Sequence, residues 1–422
     1  MAILAINGGP KQVTGQFPAW PVFDEAEINA ITEVIKSGNW GGKWGSAWWR
    51  CFSPDPGAAA EKKDLPQVVL FQEEFAKFHG VKYAVACANG SAALEVSLKA
   101  LGIGSGDEVI VPPYTFVTTA TSVLMVNAIP VFADIDPETY NINPRRIEEA
   151  VTEKTKAIIP VHFAGQPCDM DRISDIAKKH KLFIIEDCAH THGAEWKGRK
   201  AGSIGSLGIF SFQSSKTMTS GEGGVITTND AELAKKCFSN VWIGREPDKP
   251  WYEFYHLGWN YRLTEFQGAI LRTQLARLER QVEKRMENAR YLTKKLQDIP
   301  GILPVKWDER ATKHSYYLYM FRFDPKIWGI SRFRFQEALA AEGVDVFNSY
   351  PVPIYKNEVF LNNKDLCCGA FSEKCPVAER VCREESVWLN HPMFLGEQNC
   401  MDAIAASVRK LWDNKDELLG SS

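Results

Sequence analysis

Long apolar runs, a strong charge of one sign and closely paired cysteines are scarce or missing in this chain of 422 residues. No apolar stretch approaches the roughly 20 residues that a membrane-spanning helix needs. The net charge is only −3, and no lysine- or arginine-rich run would attract nucleic acid or an anionic membrane. The first residues, MAILAINGGPKQ, lack the basic and apolar parts of a signal peptide. We therefore expect a cytoplasmic protein with no nucleic acid or membrane partner.

The ten cysteines do not follow the spacing of a metal site or of a disulfide framework. No C-x-x-C pair occurs, and the cluster of Cys367, Cys368, Cys375 and Cys382 lacks zinc-finger spacing. Because cytosolic chains rarely keep disulfides, we expect reduced thiols and no bound metal.

The length suits two or three domains, and the composition differs between regions. Residues 1–65 form an N-terminal arm, in which a helix is predicted to begin after Asp24 and to end at Gly38. The arm continues into a glycine-rich loop that contains the tryptophans Trp40, Trp44, Trp48 and Trp49. Since loops often carry function and aromatic side chains dominate ligand contacts, this loop either packs over another surface or lines the mouth of a substrate site.

Residues 66–285 alternate between apolar strands and amphipathic helices, which predicts a large α/β domain. Nearly all-apolar strands are typical of a mixed, mainly parallel sheet that helices cover on both faces, an α/β/α sandwich. The predicted strands are 83–90, 108–116, 130–136, 156–165 and 181–189. Ligands bind beyond the carboxyl ends of the strands in such sheets, so the residues there are candidates for chemistry.

Residues 251–301 predict a long helix that links domains or supports a dimer, because apolar residues recur every three or four positions. The region 286–422 predicts a smaller α+β domain, in which a mixed sheet carries helices on one side. Its predicted strands are 314–324 and 382–389, and its first predicted helix is 331–343.

The most informative stretch is FSFQSSKTMTSGEGG, residues 210–224. It opens like the end of a buried strand, presents Lys216 among serines and threonines, and closes in glycines that allow close backbone approach. An amine is a useful nucleophile only where its surroundings lower its pKa, and hydroxyl groups can hold phosphate oxygens. Lys216 and Ser211 therefore suit a Schiff base beside a phosphate, although a lone lysine is more often a surface residue.

Asp187 follows a buried strand, where an unpaired carboxylate would be costly. A protonated ring nitrogen of a ligand would be a suitable partner, and the alternative role is a helix N-cap. His190 lies three residues further along, on the same side if a helical turn follows. We take Asp187 and His190 as catalytic and cofactor-binding candidates. His190 and His192 without further ligands make only a weak metal pair.

The turn 89–92, Asn-Gly-Ser-Ala, joins a strand to a helix, where free N–H groups and the helix dipole bind anions. Ser91 would also serve there as the helix N-cap. Phe116 ends a predicted strand, where its ring could stack on a planar ligand or belong to the core.

Together these parts match the needs of one cofactor, pyridoxal phosphate. An aspartate at the ring nitrogen keeps it protonated, so that the ring can draw electrons from a carbanion. The candidates for binding the phosphate are Ser91, Ala92 and Ser211. Phe116 is the candidate for the stacking ring, Asp187 for the carboxylate at the ring nitrogen, and Lys216 for the Schiff-base lysine.

At these residues the sequence resembles the DegT/DnrJ/EryC1/StrS aminotransferase family, which has the fold of type I pyridoxal-phosphate-dependent transferases. The similarity runs from FPAWP to VWLNHP, and its specific pieces are ANGSAAL, GDEVIVPPYTF, IEDCAHTHGA, FSFQSSKTMTSGEGG and GWNYRLTEFQGA. Many members carry His-Pro before the lysine, whereas this chain has Gln213-Ser214-Ser215. That variant is more similar to the branch of scyllo-inosose-type aminotransferases and 3-amino-5-hydroxybenzoate synthases.

The resemblance implies a homodimer in which Asn260 reaches the phosphate site of the partner. It implies that Lys216 bonds the cofactor, whereas relatives with histidine there act as dehydratases. Trp40 and Tyr350 are the candidates for substrate contact. The implied reaction is a ping-pong transfer of an amino group from glutamine or glutamate to a ketone on a cyclitol or sugar ring.

Two other functions stay open at this point. A pyridoxal-phosphate lyase could dehydrate and aromatise a ring, as the aminohydroxybenzoate synthases do, and a non-catalytic protein could bind the cofactor for regulation. A transaminase given glutamine or glutamate should lose the absorption of its lysine-bound cofactor, whereas a pure lyase should not. Steady turnover of a ketone that ends with Lys216→Ala would exclude the regulatory protein.

Overall fold

The computed structural model describes residues 3–41, 65–246, 249–347, 349–363 and 375–419. The predicted helix of the N-terminal arm is confirmed: Asp24 and Glu27 form a capping box at its start, and Gly38 ends it with φ 65°. The helices of the described residues are α1 (Glu25–Ser37), α2 (Gln67–His79), α3 (Gly90–Ala100), α4 (Thr118–Met125), α5 (Pro144–Ala150), α6 (Met170–His180), α7 (Ala231–Val241), α8 (Glu265–Leu296), α9 (Pro325–Trp328), α10 (Arg332–Ala341), α11 (Glu358–Leu361), α12 (Pro376–Arg380), α13 (Gln398–Asp413) and α14 (Asp416–Leu419).

The strands form a larger sheet, a smaller sheet and one two-stranded ribbon within the described residues. They are β1 (Tyr83–Cys87), β2 (Glu108–Val111), β3 (Ile129–Phe132), β4 (Thr155–Ile158), β5 (Phe183–Asp187), β6 (Glu195–Trp196), β7 (Arg199–Lys200), β8 (Leu207–Ser211), β9 (Gly224–Thr228), β10 (Ile302–Pro304), β11 (Leu318–Phe323), β12 (Val346–Phe347) and β13 (Ser386–Asn390).

The larger sheet has the strand order β1-β9-β8-β5-β4-β2-β3. Its pairs are parallel from β3 through to β8, and β9 runs antiparallel to both of its neighbours. The mixed, mainly parallel α/β fold is thus confirmed. The strand β9 was not predicted from the sequence, because it begins at Gly224, the last glycine of the stretch 210–224 that carries Lys216.

Alternate residues of the central strands face two different apolar cores. In β2, Val109 and Val111 join the larger cluster, whereas Ile110 joins a second cluster with Ile147 of α5 and Ile173 of α6. Side chains of a strand alternate between its faces, so a strand that is apolar throughout must be covered on both sides. The cover holds the carboxyl ends of the strands in fixed positions.

The five predicted strands of the region 66–285 are all longer than the observed ones, and in two of them prolines explain the early end. β2 ends at Val111, before Pro112 and Pro113, and β4 ends at Ile158, before Pro160. Proline lacks the N–H group that a strand donates to its neighbour. Residues 114–117, Phe116 among them, therefore lie in the loop between β2 and α4 and do not continue the strand.

The predicted long helix begins later than expected, at Glu265, after a capping box between Thr264 and Gln267. As α8 it packs on α2, where a Cβ atom at Gly268 would lie 2.8 Å from the nitrogen of Val68. Glycine is needed at this position because the two backbones come so close. One unbroken helix crosses residue 285, and the division of the chain at 65 and 285 stays a prediction.

The smaller sheet has the order β10-β11-β13-β12, and all its pairs are antiparallel. The predicted mixed sheet is therefore wrong. The predicted strand 382–389 also begins too early, because Val381–Glu385 form a π-helical turn and β13 starts only at Ser386.

Three further expectations concern membrane spans, the tryptophan-rich loop and the cysteines. Within the described residues, none of the helices combines the length and the apolar character needed to cross a membrane. Cys367, Cys368, Trp44, Trp48 and Trp49 lie outside the described residues. The cysteines inside them are free thiols: Cys87, Cys168, Cys188, Cys237, Cys375, Cys382 and Cys400.

Candidate active site

A cavity of about 640 Å³ opens at the carboxyl ends of β1, β5 and β8, and residues of the smaller sheet form its opposite wall. Parallel strands end at one edge of a sheet, so they bring together side chains that are distant in sequence. Ala92, Asn260 and Trp40 are not among the described residues that line it. The predicted site residues that do line it are Ser91, Phe116, Asp187, His190, Ser211, Lys216 and Tyr350.

One end of the cavity is the N-terminus of α3. The side chain of Asn89 accepts a hydrogen bond of 2.8 Å from the N–H of Ala92, so Asn89 is the N-cap. The alternative role of Ser91 as the N-cap is therefore wrong, and its hydroxyl group is free to face the cavity. The positive end of the helix dipole makes this position suitable for an anion.

The helix N-terminus lies tightly against the ends of β8 and β9. A Cβ atom at Gly90 would lie 2.7 Å from the Cβ of Ser211, and one at Gly224 would lie 2.5 Å from the carbonyl oxygen of Asn89. Only glycines permit such an approach. Ser91 and Ser211 thus share a narrow cradle of hydroxyl and backbone N–H groups.

Asp187 ends β5 and is only 4% exposed. Its Oδ2 accepts a hydrogen bond of 3.0 Å from the hydroxyl of Thr119, and its Oδ1 accepts one of 3.2 Å from the N–H of Ala189. Burial raises the pKa of Asp187, and these two donors with the charge of Lys216 offset only part of the effect. The helix N-cap alternative is wrong, since Asp187 caps a turn. A ligand cation would supply the counter-charge that the carboxylate needs.

Lys216 lies on a turn that follows β8, closed by a hydrogen bond of 2.9 Å from its own N–H to the carbonyl of Gln213. Its Nζ lies 4.5 Å from the centroid of the Tyr317 ring, a cation–π contact. The same ring stacks on His190 at a centroid distance of 4.2 Å. Tyr317 lies inside the predicted strand 314–324, and Thr119 follows the predicted strand 108–116, so the sequence pattern pointed to neither of them as a site residue.

His190 is buried, and its Nδ1 accepts a hydrogen bond of 3.4 Å from the N–H of Ala164. Burial, followed by the charge of Lys216 and by His192, lowers the pKa of His190 well below its usual value. The ring is therefore neutral, with its proton on Nε2. Ala164 adopts φ 57°, an uncommon left-handed conformation that turns its N–H toward the ring.

Among the described residues, the ligand-type atoms of His162, Glu186 and Cys188 lie within 4.8 Å of one another, and this group does not include His190 and His192. His162 donates a hydrogen bond of 3.0 Å from Nε2 to Glu186. Glu186 also accepts three backbone hydrogen bonds, from Gly202, Ile204 and Gly205. With its oxygens satisfied in this way, the group stabilises the sheet beneath the cavity.

The wall opposite the carboxylate is aromatic. Tyr350 packs edge-on against Tyr114 and Trp388, at centroid distances of 5.5 Å and 4.9 Å. Burial raises the pKa of Tyr350 well above its usual value, so its phenol stays neutral. Phe116 is 56% exposed and faces the cavity, so its alternative role in the core is wrong. Trp388 was not singled out from the sequence, because its strand pattern alone predicts burial.

The two remaining candidates lie away from this cavity. Asn260 lines a separate open cavity of about 580 Å³ together with Arg245 and Trp251. Trp40 packs its ring on Phe266 at 5.8 Å, and 54% of its surface is exposed. Their roles toward a partner chain and a substrate stay predictions.

The observed geometry fits pyridoxal phosphate. The cradle at Gly90 and Ser211 suits the phosphate, the buried carboxylate of Asp187 suits a ring-nitrogen proton, and the amine of Lys216 lies within the same cavity. Phe116 offers an exposed ring face for stacking. When bound, this cofactor supplies an electron sink for the carbon that loses a proton.

Comparison with known proteins agrees with this fit. The sequence profile of the DegT/DnrJ/EryC1/StrS aminotransferase family matches residues 62–408. The chain belongs to this family. It is an aminotransferase that depends on pyridoxal phosphate, with the fold shared by the family.

Relatives extend the similarity over nearly the whole chain. A Streptoalloteichus tenebrarius protein, provisionally named L-glutamine:3-amino-2,3-dideoxy-scyllo-inosose aminotransferase, is 39% identical over 430 residues, or 98% of this chain and 99% of its own length. The 3-amino-5-hydroxybenzoate synthase of Amycolatopsis mediterranei is 35% identical over 93% of this chain and 96% of its own. The X-ray structure of an aminotransferase from Psychrobacter cryohalolentis, 34% identical, superposes with a TM-score of 0.82 over 95% of this chain and 100% of its own.

Proposed function

We propose that this aminotransferase moves an amino group from glutamine to a ketone on a free cyclitol ring, by a ping-pong mechanism. The observation that carries the proposal is that one cavity holds the α3 N-terminus, the buried carboxylate of Asp187 and the amine of Lys216. The name of the relative from S. tenebrarius, which specifies glutamine and an inosose, supports the donor and the acceptor class.

In this proposal Lys216 would hold the cofactor through its amine. With that amine free, Nζ would act as the general base that takes a proton from the donor carbon and, in the second half-reaction, as the general acid that gives a proton to the acceptor carbon. Asp187 would hold the ring-nitrogen proton of the cofactor, and Ser91 and Ser211 would bind its phosphate. The neutral ring of His190 fixes Tyr317, on which the amine of Lys216 lies.

The charges around the cavity favour a free cyclitol over a nucleotide-linked sugar. Lys216 is the single lysine or arginine among the described lining residues, and the proposal assigns it to the cofactor. A nucleotide diphosphate would bring further negative charges that need cations. The polar side chains near the mouth are Gln213, Ser215 and Glu222, which can hydrogen-bond the hydroxyl groups of a ring.

The first experiment follows the visible absorption of the holoenzyme. Borohydride treatment should attach the cofactor to Lys216, which peptide mass analysis would locate, and Lys216→Ala should lose both the label and the activity. Glutamine should bleach the lysine-bound absorption, and scyllo-inosose should restore it. A nucleotide-linked keto-sugar should restore it far less. Labelling at another lysine, or no bleaching by any amino donor, would contradict the proposal.

A lyase is the second candidate, because 3-amino-5-hydroxybenzoate synthase is also a close relative. The bleaching experiment separates the two functions. An enzyme that only dehydrates and aromatises a ring has no need to take an amino group from glutamine, so its absorption would persist.

We further propose a homodimer in which Asn260 completes the phosphate site of the partner chain. Exposed apolar side chains surround it, a pattern that marks protein–protein contacts: Trp251 at 50%, Tyr252 at 81%, Leu257 at 87% and Trp259 at 66% exposure. Single exposed apolar residues are common, but these four lie together within residues 251–259. A second copy of the chain would cover it.

Mixed dimers test this arrangement. Lys216→Ala and Asn260→Ala chains each lack one part of a site, but a mixed dimer contains one site with both parts. Random assembly at equal amounts should therefore restore about a quarter of the wild-type activity. If Asn260 served its own chain, mixing would restore none.

A cytoplasmic location also belongs to the proposal. The free thiols of the described residues support it, because oxidising compartments favour disulfides. Cell fractionation with an antibody against the chain would check it, and recovery mainly outside the cytoplasm would contradict it.

A further inference from the structure

The turn that carries Lys216 is held by side chains from distant parts of the sequence. The carbonyl of Ser214 accepts a hydrogen bond of 2.9 Å from the indole Nε1 of Trp20 in the N-terminal arm. The next carbonyl, that of Ser215, accepts one of 3.0 Å from Nε2 of His391, which follows β13. Both bonds therefore fix the backbone immediately before the lysine.

The second bond depends on which nitrogen of His391 carries the proton. Nη2 of Arg285, in α8, donates to Nδ1 of His391 at 3.4 Å, so the proton must lie on Nε2, which faces the carbonyl. The Trp20 ring packs edge-on against the imidazole, with centroids 4.5 Å apart. Burial and then the charge of Arg285 lower the pKa of His391, so the ring stays neutral.

Arg285 is an unusual residue to find at this place. It is 0% exposed, and its Nε and Nη1 have no hydrogen-bond partner among the described residues. Its guanidinium carbon lies 5.6 Å from the centroid of the Trp20 ring. Burial lowers the pKa of Arg285 to about 9, which shows how poorly its charge is compensated. An apolar side chain would cost the fold less, so a role in function accounts better for the arginine.

We propose that Trp20, His391 and Arg285 form a clamp that positions Lys216. They are positioning residues, because none of them lines the cavity. Trp20 and His391 each hold one carbonyl, and Arg285 holds His391 in the tautomer that donates. The proposal rests on the proposed function, in which Lys216 bonds the cofactor.

The clamp matters because few other contacts from outside the turn hold its backbone. The hydroxyl of Ser215 also lies 3.2 Å from the hydroxyl of Tyr317, but this contact joins two side chains and leaves the carbonyls to Trp20 and His391. The side chain of Gln213 accepts hydrogen bonds from the N–H and the hydroxyl of Ser215, at 2.9 Å and 2.7 Å, but these bonds lie within the turn itself. Only contacts from outside can set where the turn lies relative to the sheet. A displacement of about 1 Å at a reacting group can cost up to about 100-fold in rate.

The test uses conservative variants of the holoenzyme. Trp20→Phe keeps the ring and removes the donor, His391→Leu removes the imidazole, and His391→Gln restores a donor near Nε2. A matched control is Trp328→Phe, because Nε1 of Trp328 donates a similar bond of 3.0 Å to the carbonyl of Pro300, far from the cavity. Arg285→Met removes the charge and keeps an unbranched side chain.

Three measurements distinguish a loss of lysine positioning from a general loss of stability. They are the saturated rate of bleaching by glutamine with its apparent Kd, the pH midpoint of the visible absorption band, and the unfolding temperature of the cofactor-free protein. We expect Trp20→Phe and His391→Leu to slow bleaching about tenfold and to shift the midpoint, with the apparent Kd within about twofold of wild type. His391→Gln should recover part of the rate, and Trp328→Phe should change neither rate nor midpoint.

Arg285→Met gives an independent result. It should slow bleaching while the unfolding temperature stays equal or rises, since an uncompensated buried charge is removed. The clamp is overturned if Trp20→Phe, His391→Leu and Arg285→Met are labelled at Lys216 and match wild type in rate and midpoint. Failure to label Lys216 in the wild-type enzyme would instead overturn the proposed function.

Discussion

The carboxylate of Asp187 and the amine of Lys216 line the same cavity, but the backbone that carries each of them differs. Asp187 is the last residue of β5, and it is paired with Ile209 of the neighbouring strand. Its supports are Thr119 in α4 and Ala189 in the turn directly after β5. Lys216 lies on an irregular turn, and the two carbonyls before it are held by Trp20 and His391, which are distant in sequence.

The difference agrees with the roles that we propose for the two groups. A carboxylate that holds a ring-nitrogen proton works best when it does not move, and the end of a hydrogen-bonded strand gives it that fixed position. A lysine that bonds the cofactor and is then released must change position during each turnover. A turn held by a few single hydrogen bonds permits small shifts, whereas a strand does not.

Of the variants that test this difference, the largest effect is expected at Asp187, the residue at the end of a hydrogen-bonded strand. Asp187→Asn should lower kcat about 10²- to 10³-fold, because a neutral amide cannot hold the ring-nitrogen proton by charge. Burial raises the pKa of this carboxyl above its unfolded value, so the ionised group destabilises the fold at neutral pH. The cofactor-free variant should accordingly unfold at a higher temperature than wild type.

Steady-state kinetics and thermal unfolding measure both effects. The control is Asp402→Asn, which removes a surface partner of Lys295 at 3.0 Å and should leave kcat unchanged. A kcat within about threefold of wild type for Asp187→Asn would mean that the fixed carboxylate is not needed for the chemistry.

A smaller effect is expected at Thr119, the local support of the carboxylate. Thr119→Val keeps the shape and removes the hydroxyl that donates to Asp187 at 3.0 Å. We expect kcat to fall about tenfold, the typical effect of losing a hydrogen bond to a charged group. Thr119→Ser should recover most of the rate. If the serine and valine variants were equally slow, packing and not the hydroxyl would explain the loss.

The rigid half of the site was largely predictable from the sequence. Strand ends, glycines and cap residues are local patterns, and they led to Asp187, to the turn at 89–92 and to Ser211. The errors of the sequence-based predictions also concern neighbouring residues. Ser91 was predicted as a possible N-cap where Asn89 is the actual one, and β2 was extended through two prolines, because adjacent residues of similar propensity compete for such roles.

The supports of the lysine were not predictable in the same way. Trp20, Arg285 and His391 come from the arm, from α8 and from the segment after β13, and no periodicity links these positions. Arg285 falls in a helix whose pattern would place a charged side chain on the surface, yet it is fully buried. Contacts of this kind depend on the packing of separate elements, which a single sequence does not reveal.

The smallest expected effect lies beneath the lysine turn, at His192, whose Nδ1 is 3.2 Å from the hydroxyl of Thr217. Burial, followed by the charge of Lys216, lowers the pKa of His192 to about 3. Between about pH 6.5 and 3 the unfolded chain therefore binds a proton that the folded chain does not. The resulting stability is complete above pH 6.5 and is lost as the pH falls.

His192→Asn should therefore make the free energy of unfolding less dependent on pH, by about 1.4 kcal/mol per pH unit between about pH 6 and 4. Urea unfolding at several pH values measures this slope. His314→Asn is the matched control, since burial also lowers the pKa of His314 to about 3, away from the cavity lining. Both variants should change the slope alike, but only His192→Asn should slow bleaching by glutamine. Equal bleaching rates in the two variants would mean that the turn does not depend on the ring beneath it, and that its position is set from outside alone.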